Sequence, residues 1–514
     1  MAEGKLPLPG GARSPSSVRV LFSKRRLVIT LLLSALLVWN WSIFNPYPVP
    51  SLLCWTARLL TSQLPGPGSP LPEPPSGPKW IVPGAEWLDT AGNPIQAHGG
   101  GLLKVNDIYY WFGEDKEHHG SNFRAVSCYA STDLYLWTRL PDALSPLEGS
   151  SISNQSVLER PKVIYNALND DYVMWFHSDN LQYNAAEVGV AYSRTPEGPY
   201  TYLRSFKPFG ADSRDDGLYV DDDGSAYLLY ASDWNNNFKI AQLTPDFRDV
   251  REVTHVFYGG GYEAPGIIKK NGTYHLFISG LTGWWPNANS HLSAPSLSGP
   301  WTKPKDIAPS KLRTYFSQNT YDLVLQPGDD QGRGMMSLYM GDRWKSNQLG
   351  KSSYIWLPMT WSDDDGVWLD WIDIFSVDVK TGAITIPTGT AYHAAQGTLH
   401  GSAQLGNCTA CASKRVVHHI GAGGSVTIPN IQGSGGSHWI SVYYTNADWS
   451  WRETTMSVNG GPSIILAQPD TQNRAAFLSV PIRVALKNSS SNYITFGRNQ
   501  TSYAGDLDKI IVYD

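Results

Sequence analysis

In Gly261-Tyr-Glu263-Ala-Pro-Gly-Ile-Ile-Lys-Lys-Asn271-Gly272-Thr-Tyr274-His-Leu-Phe277 a polar residue opens a short apolar run. An Asn-Gly pair then interrupts it, and an alternating aromatic strand closes it. Two strand-like runs joined by Asn-Gly are a strong hairpin signal, because the favoured two-residue turn needs positive φ at both positions. The phrase recurs at Glu159-Arg-Pro-Lys-Val-Ile, ending in Tyr172-Val-Met-Trp-Phe. It recurs again at Asp215-Asp-Gly-Leu-Tyr-Val, turning through Asp223-Gly224 and ending in Tyr227-Leu-Leu-Tyr. Further copies start at His98-Gly-Gly-Gly-Leu-Leu and, with a longer insertion, at Gln318-Asn-Thr-Tyr-Asp-Leu.

A unit repeating at roughly 50 to 60 residues, each worth about four strands, predicts a propeller blade, and five units predict five blades. The first strand of each blade lines the central channel. The opening residues His98, Glu159, Asp215, Glu263 and Gln318 should therefore converge at one axial mouth. Acids at strand starts also cap and turn chains, which accounts for any one of them. Three carboxylates, an amide and an imidazole aimed at one point read instead as a site.

The 514-residue chain is too long for one ordinary domain and buries a large core. Aromatics make up 12% of it, with 20 Trp and 27 Tyr beside 48 Gly and 35 Pro, the profile of a turn-rich all-β protein with sugar-stacking surfaces. A formal charge of −5 gives no basic footprint, so nucleic acid is not expected as a partner.

Basic residues up to Arg26 precede an apolar run from Leu27 to Phe44, about long enough to span a bilayer. This predicts residues 1–26 as a cytoplasmic tail, 27–44 as a transmembrane signal anchor, and a lumenal remainder, making a single-pass type II protein of the Golgi or cell surface. A cleaved signal peptide, and so a secreted protein, is the alternative; no small-x-small cleavage site follows the apolar run. Residues 45–78 carry ten prolines and should form an extended stalk. Acceptor sequons stand at Asn154, Asn271, Asn407, Asn488 and Asn499, all on the lumenal side. Cys408 and Cys411 form a Cys-x-x-Cys that fits a local disulfide better than a metal or redox motif, since no second pair completes a metal site. Cys128 lies in an apolar strand pattern and should be a buried thiol; Cys54, near the membrane, is suited to acylation or to cross-linking two chains. Residues 79–387 are expected to be the propeller and 388–514, with short strands and Gly-rich turns, a β-sandwich.

The blade openings Ala97-His-Gly-Gly-Gly, Glu159-Arg-Pro-Lys-Val, Ser213-Arg-Asp-Asp-Gly-Leu-Tyr-Val-Asp-Asp-Asp-Gly, Gly261-Tyr-Glu-Ala-Pro and Ser317-Gln-Asn resemble glycoside hydrolase family 43. Within it they resemble the exo-β-1,3-galactanase (galactan 1,3-β-galactosidase) branch. The tail, with Tyr392-His-Ala-Ala-Gln-Gly-Thr-Leu, Cys408-Thr-Ala-Cys and Asp506-Leu-Asp-Lys-Ile, resembles a family 35 carbohydrate-binding module, a jelly-roll-like sandwich. The resemblance implies an exo-acting, inverting hydrolase of β-1,3-galactan, as on arabinogalactan chains, with Glu263 as general acid and Asp215 tuning it. Most of the family has an aspartate base in the first blade. This chain has His98 there, a departure the galactanase branch shares; in that branch a glutamine matching Gln318 is proposed to hold or activate the water. Glu114 and Glu159 match residues that grip the sugar, and Glu159 is also counted with the catalytic set. No cofactor and no metal in the site are implied. The sandwich is expected to have lost its calcium, since neutral His393, Ala395 and Gln396 stand where carboxylates would hold it and only Asp506 and Asp508 remain.

Each residue has a blander reading. Glu114 would also suit a solvated strand end, and Asp221, Asp222 and Asp223 read as a hairpin turn rather than an ion site. His98 serves equally as a structural imidazole or a ligand of the sugar. Trp284 and Trp285 would wall the pocket by stacking on galactose, or serve only as packing. Trp449, Trp451 and Tyr503 are the expected sugar-binding aromatics of the sandwich. A propeller that binds galactan without cutting it, or an α-L-arabinofuranosidase or β-xylosidase of the same family, are the alternative functions, because one fold hosts all of them.

Overall fold

The computed structural model describes residues 79–328, 334–362 and 366–513. The anchor expected at 27–44, the expected stalk and Cys54 lie outside them. No helix among the described residues is long and apolar enough to cross a membrane.

Five four-stranded antiparallel sheets form the blades, with first strands His98–Val105, Ser156–Asn166, Asp216–Val220, Tyr262–Lys270 and Gln318–Gln326. Each of these pairs with the next strand as the repeated phrase requires. In the fourth blade Lys270 faces Thr273 across Asn271 and Gly272, whose φ of 48° and 75° are those of the tight hairpin turn. The three acids of the third blade do form a turn: Asp221 N–H donates to Ser225 O at 2.8 Å, and its carboxylate accepts from Lys269 Nζ at 2.7 Å.

One device recurs just past the opening residue. The ladder slips between His98 and Gly101, between Glu159 and Lys162, and between Glu263 and Gly266. The residue after the opener is left-handed in all three, with φ of 58° at Gly99, 53° at Arg160 and 54° at Ala264. Such a bulge re-aims the side chains beside it. In the first blade only glycine fits, since a Cβ on Gly99 would lie 2.1 Å from Glu114 Oε1.

The ring closes where Ile81 pairs with Phe375, each N–H donating to the other's carbonyl at 2.7 and 3.0 Å. Tyr354 OH reinforces the closure by donating to Ile95 O and accepting from Ala97 N–H, both at 2.9 Å. Part of the aromatic content serves packing: Trp111, Trp137, Trp175 and Trp356 are all fully buried.

After a short hairpin at Ser376–Val377 and Ile384–Thr385 come sheets of six and five strands forming a sandwich. Cys408 and Cys411 are disulfide-bonded, and Cys128 is a buried free thiol. Propeller and sandwich share one apolar cluster, in which Phe277, Phe316 and Tyr339 meet Val442, Tyr444 and Ile510. Polar contacts flank it: Asp373 accepts from Tyr443 OH at 2.7 Å, Tyr513 OH at 2.8 Å and Ser479 Oγ at 2.7 Å. Trp451 belongs to this junction, edge-on to Phe316 at 5.4 Å, and so is not a free sugar platform. Tyr503 does line a cavity of about 600 Å³ in the sandwich, together with Arg474 and Asp506, while Trp449 is exposed outside it.

Candidate active site

At the axial mouth lies a pocket of about 220 Å³. Glu114, Glu159, Asp215, Glu263, Gln318 and Trp284 all line it. Two expected members do not. His98 is fully buried beneath it, stacked on Tyr354 at 5.1 Å with Nδ1 3.2 Å from Asp342 Oδ1, a structural imidazole with no path to a sugar. Trp285 is partly exposed and turned away from the lining, whereas Trp284 faces inward, edge-on to Trp344 at 5.1 Å.

Arg160 ties the lining together. Its left-handed backbone directs its N–H to Glu114 Oε1 at 2.9 Å. The guanidinium reaches the other way, with Nε 2.8 Å from Asp215 Oδ2 and Nη2 donating to Gln318 Oε1 at 2.8 Å. In the sequence this arginine stands inside Glu159-Arg-Pro with no role of its own marked. Its adjacency to an opening residue was the available signal; the bulge that turns it inward was not legible.

The carboxyls divide into two protonation states. Glu263 is pushed up to about 8, first by burial and then by the negative charge of Asp215, against the pull of Arg160. Asn235 Nδ2 donates to its Oε1 at 2.9 Å. Glu159 goes the opposite way. Burial raises it, but hydrogen bonds from His177 and Tyr183 and the charge of Lys116 outweigh burial and carry it down to about 2. Tyr183 OH donates to Oε1 at 2.7 Å, and His177 Nδ1 lies 3.2 Å from Oε2. Burial alone would strip the His177 proton; Asp179, 3.0 Å from Nε2, and Glu159 hold it instead, at a pKa of about 10. Glu114 is raised by burial, opposed by Lys116 at 2.8 Å.

Gln318 has a defined orientation. Its Oε1 takes N–H bonds from Arg160 and from Trp344 Nε1 at 3.0 Å, and neither partner can accept. The oxygen end is therefore fixed by chemistry, and Nε2 donates to Ser279 Oγ at 3.0 Å with one N–H left over.

Glu159, His177 and Asp215 bring possible ligand atoms within 4.8 Å of one another. They fit a metal poorly, because His177 spends both nitrogens on carboxylates and Asp215 is paired with Arg160.

A carboxyl held neutral beside ionised ones, in a pocket the size of one sugar at a propeller axis, defines a glycoside hydrolase. The chain belongs to the glycosyl hydrolases family 43, whose model matches residues 93–367. Among solved structures it is similar to the exo-β-1,3-galactanase of Phanerochaete chrysosporium, seen as a glutamate-to-alanine variant with β-1,3-galactotriose. Identity is 50% over 84% of this chain and 100% of that one, with a TM-score of 0.81. It is also similar to an exo-β-1,3-galactanase from Clostridium thermocellum, at 29% identity over 79% of this chain and 100% of that one, with a TM-score of 0.57. A search of curated proteins gave no match.

Proposed function

We propose that this chain releases galactose from the ends of β-1,3-galactan, including arabinogalactan-type chains, with inversion at the anomeric carbon. The observation that carries the reading is the neutral Glu263 set beside the Asp215–Arg160 pair, opposite in protonation to Glu159. The similarity to exo-β-1,3-galactanases supports the substrate. The small pocket walled by Trp284 supports attack on a chain end rather than its middle.

Glu263 protonates the glycosidic oxygen as the bond breaks, and Asp215 keeps that proton in place at working pH. Gln318 holds the attacking water through its spare Nε2 N–H. Two donors on Oε1 leave no room there for the O–H of an imidic tautomer, so Gln318 acts by positioning, and the ionised carboxylate of Glu159, which lines the same pocket, takes the water's proton as the new C–O bond forms. Glu114 and Glu159 grip sugar hydroxyls. No carboxylate serves as nucleophile, hence inversion.

The enzyme works on the lumenal side of a membrane, anchored by residues 27–44. The disulfide and the exposure of all five sequon asparagines support that compartment. Alkaline carbonate should leave the protein in the membrane pellet; quantitative release would remove the anchor. For the chemistry, β-1,3-galactan is incubated with the enzyme and followed by proton NMR. The α-anomer of galactose should appear first. First appearance of the β-anomer overturns inversion, and no galactose at all overturns the substrate.

A further inference from the structure

Gln318 begins its strand directly after an unusual turn. Arg313, Thr314, Tyr315 and Phe316 are all left-handed, with φ of 48°, 50°, 58° and 60°, and none is glycine. L-residues, and a β-branched threonine above all, disfavour this conformation, so a run of four persists only where its surroundings over-determine it.

Part of that hold comes from the propeller. Asn289 N–H donates to Thr314 Oγ1 at 2.8 Å, Arg343 Nη2 to Tyr315 O at 2.8 Å, and Tyr315 OH to Leu369 O at 2.9 Å. Ser317 Oγ adds a bond to Thr314 O at 2.6 Å, and the sandwich supplies a further part. Asp470, fully buried, receives Arg313 Nη2 on its carbonyl at 2.5 Å and Nη1 and Nη2 on its carboxylate at 3.3 Å each. Arg313 in turn covers the Phe316 ring at 4.8 Å, whose other neighbour is Trp451. The first and last residues of the turn are thus gripped by the C-terminal module, and Gln318 stands two residues further on.

We propose that Asp470 is a positioning residue: the sandwich clamps the Arg313–Phe316 turn and through it sets Gln318 against the attacking water. The module then acts on turnover itself, apart from any sugar it binds. This rests on the reading of Gln318 as the residue that holds the water.

The test uses the full chain and β-1,3-galactobiose, too short to occupy the pocket and the sandwich together. Asp470→Asn keeps the shape and removes the charge. It should lower kcat by about 10-fold or more, the scale on which small misplacements act, with KM changed less than about twofold. In a Gln318→Ala background the same substitution should have little further effect, because both act through one group. Unchanged kcat in folded Asp470→Asn, or an equal loss in both backgrounds, overturns the proposal alone. Near-normal turnover by Gln318→Ala itself overturns the water-holding reading, and the proposal with it. Should Asp470→Asn fail to fold, Arg313→Lys, which keeps one charged donor to Asp470, carries the same expectations.

Discussion

Replacing Asp215 by asparagine should move the alkaline limb of the pH–rate profile toward acid. Glu263 ionises at about 8 instead of its ordinary 4.5, equivalent to roughly 5 kcal/mol at ~1.4 kcal/mol per pH unit. Burial survives the substitution, but the repulsion from Asp215 does not. Arg160 also loses its 2.8 Å partner and turns an unpaired positive charge on Glu263. Both changes favour the carboxylate. A neighbouring charge moves a carboxyl by roughly 1 to 3 pH units, so a limb near 8 should fall to between about 5 and 7. Only the neutral acid protonates the leaving oxygen, so activity is present below this pKa and lost as pH rises through it. For a limb near 6.5, the protonated share at pH 7 drops from about 90% to roughly 25%, and the loss exceeds about tenfold at pH 8. The assay is kcat/KM on β-1,3-galactobiose from about pH 4 to pH 9, each profile normalised to its own maximum to separate titration from lost positioning. A limb that stays near 8 or climbs would refute the assignment of Glu263 as the acid coupled to Asp215.

Glu263→Gln should lower turnover by a factor on the order of 10² to 10⁴ while leaving galactan binding intact, as calorimetry can measure. The same variant should be more stable than the parent at pH 8 but not at pH 4, by up to about 4 kcal/mol in denaturant melts. The sign follows from a folded-state pKa above the unfolded one: the penalty is absent in acid, where both states are protonated, and builds as pH rises toward about 8. Trp344→Phe keeps the ring but removes one N–H from Gln318 Oε1, and should cost turnover about 1 kcal/mol, or roughly fivefold, with Tm nearly unchanged. Calcium should not raise Tm, since Asp508 is buried near His393 rather than grouped with other carboxylates; a clear calcium-dependent rise would restore the ion to the sandwich.

The five blades were legible because each carries its own hairpin signal, and turns such as Asn271-Gly272 obey local chemistry. The convergence of Glu159, Asp215, Glu263 and Gln318 followed from topology alone. What sequence could not reveal depends on backbone at non-glycine positions or on contacts between distant segments. Arg160 gives no sign of being left-handed, so its reach to three lining residues was invisible. His98 opens a blade as the others do, yet Tyr354, from the fifth blade, draws it under the floor. Trp451 looked like a loop aromatic because its partner Phe316 lies in the other domain. His177 and Tyr183, which keep Glu159 ionised, sit past the repeated phrase in a second strand and a loop and carry no motif.

The pairing of Ile81 with Phe375 also sets a schedule for synthesis. The two residues are nearly 300 positions apart, and a ribosome adding roughly 5 to 20 residues per second separates them by about 15 to 60 seconds. Throughout that interval the amino-terminal segment has no closing partner, and the first blade waits with an open flank while four more are made. Asn154 and Asn271 emerge within the same window, so glycans attached there would meet an arc rather than a ring. Changes at the seam between the first and last blades should therefore register as poor yield of the nascent protein long before they alter how fast the finished molecule works.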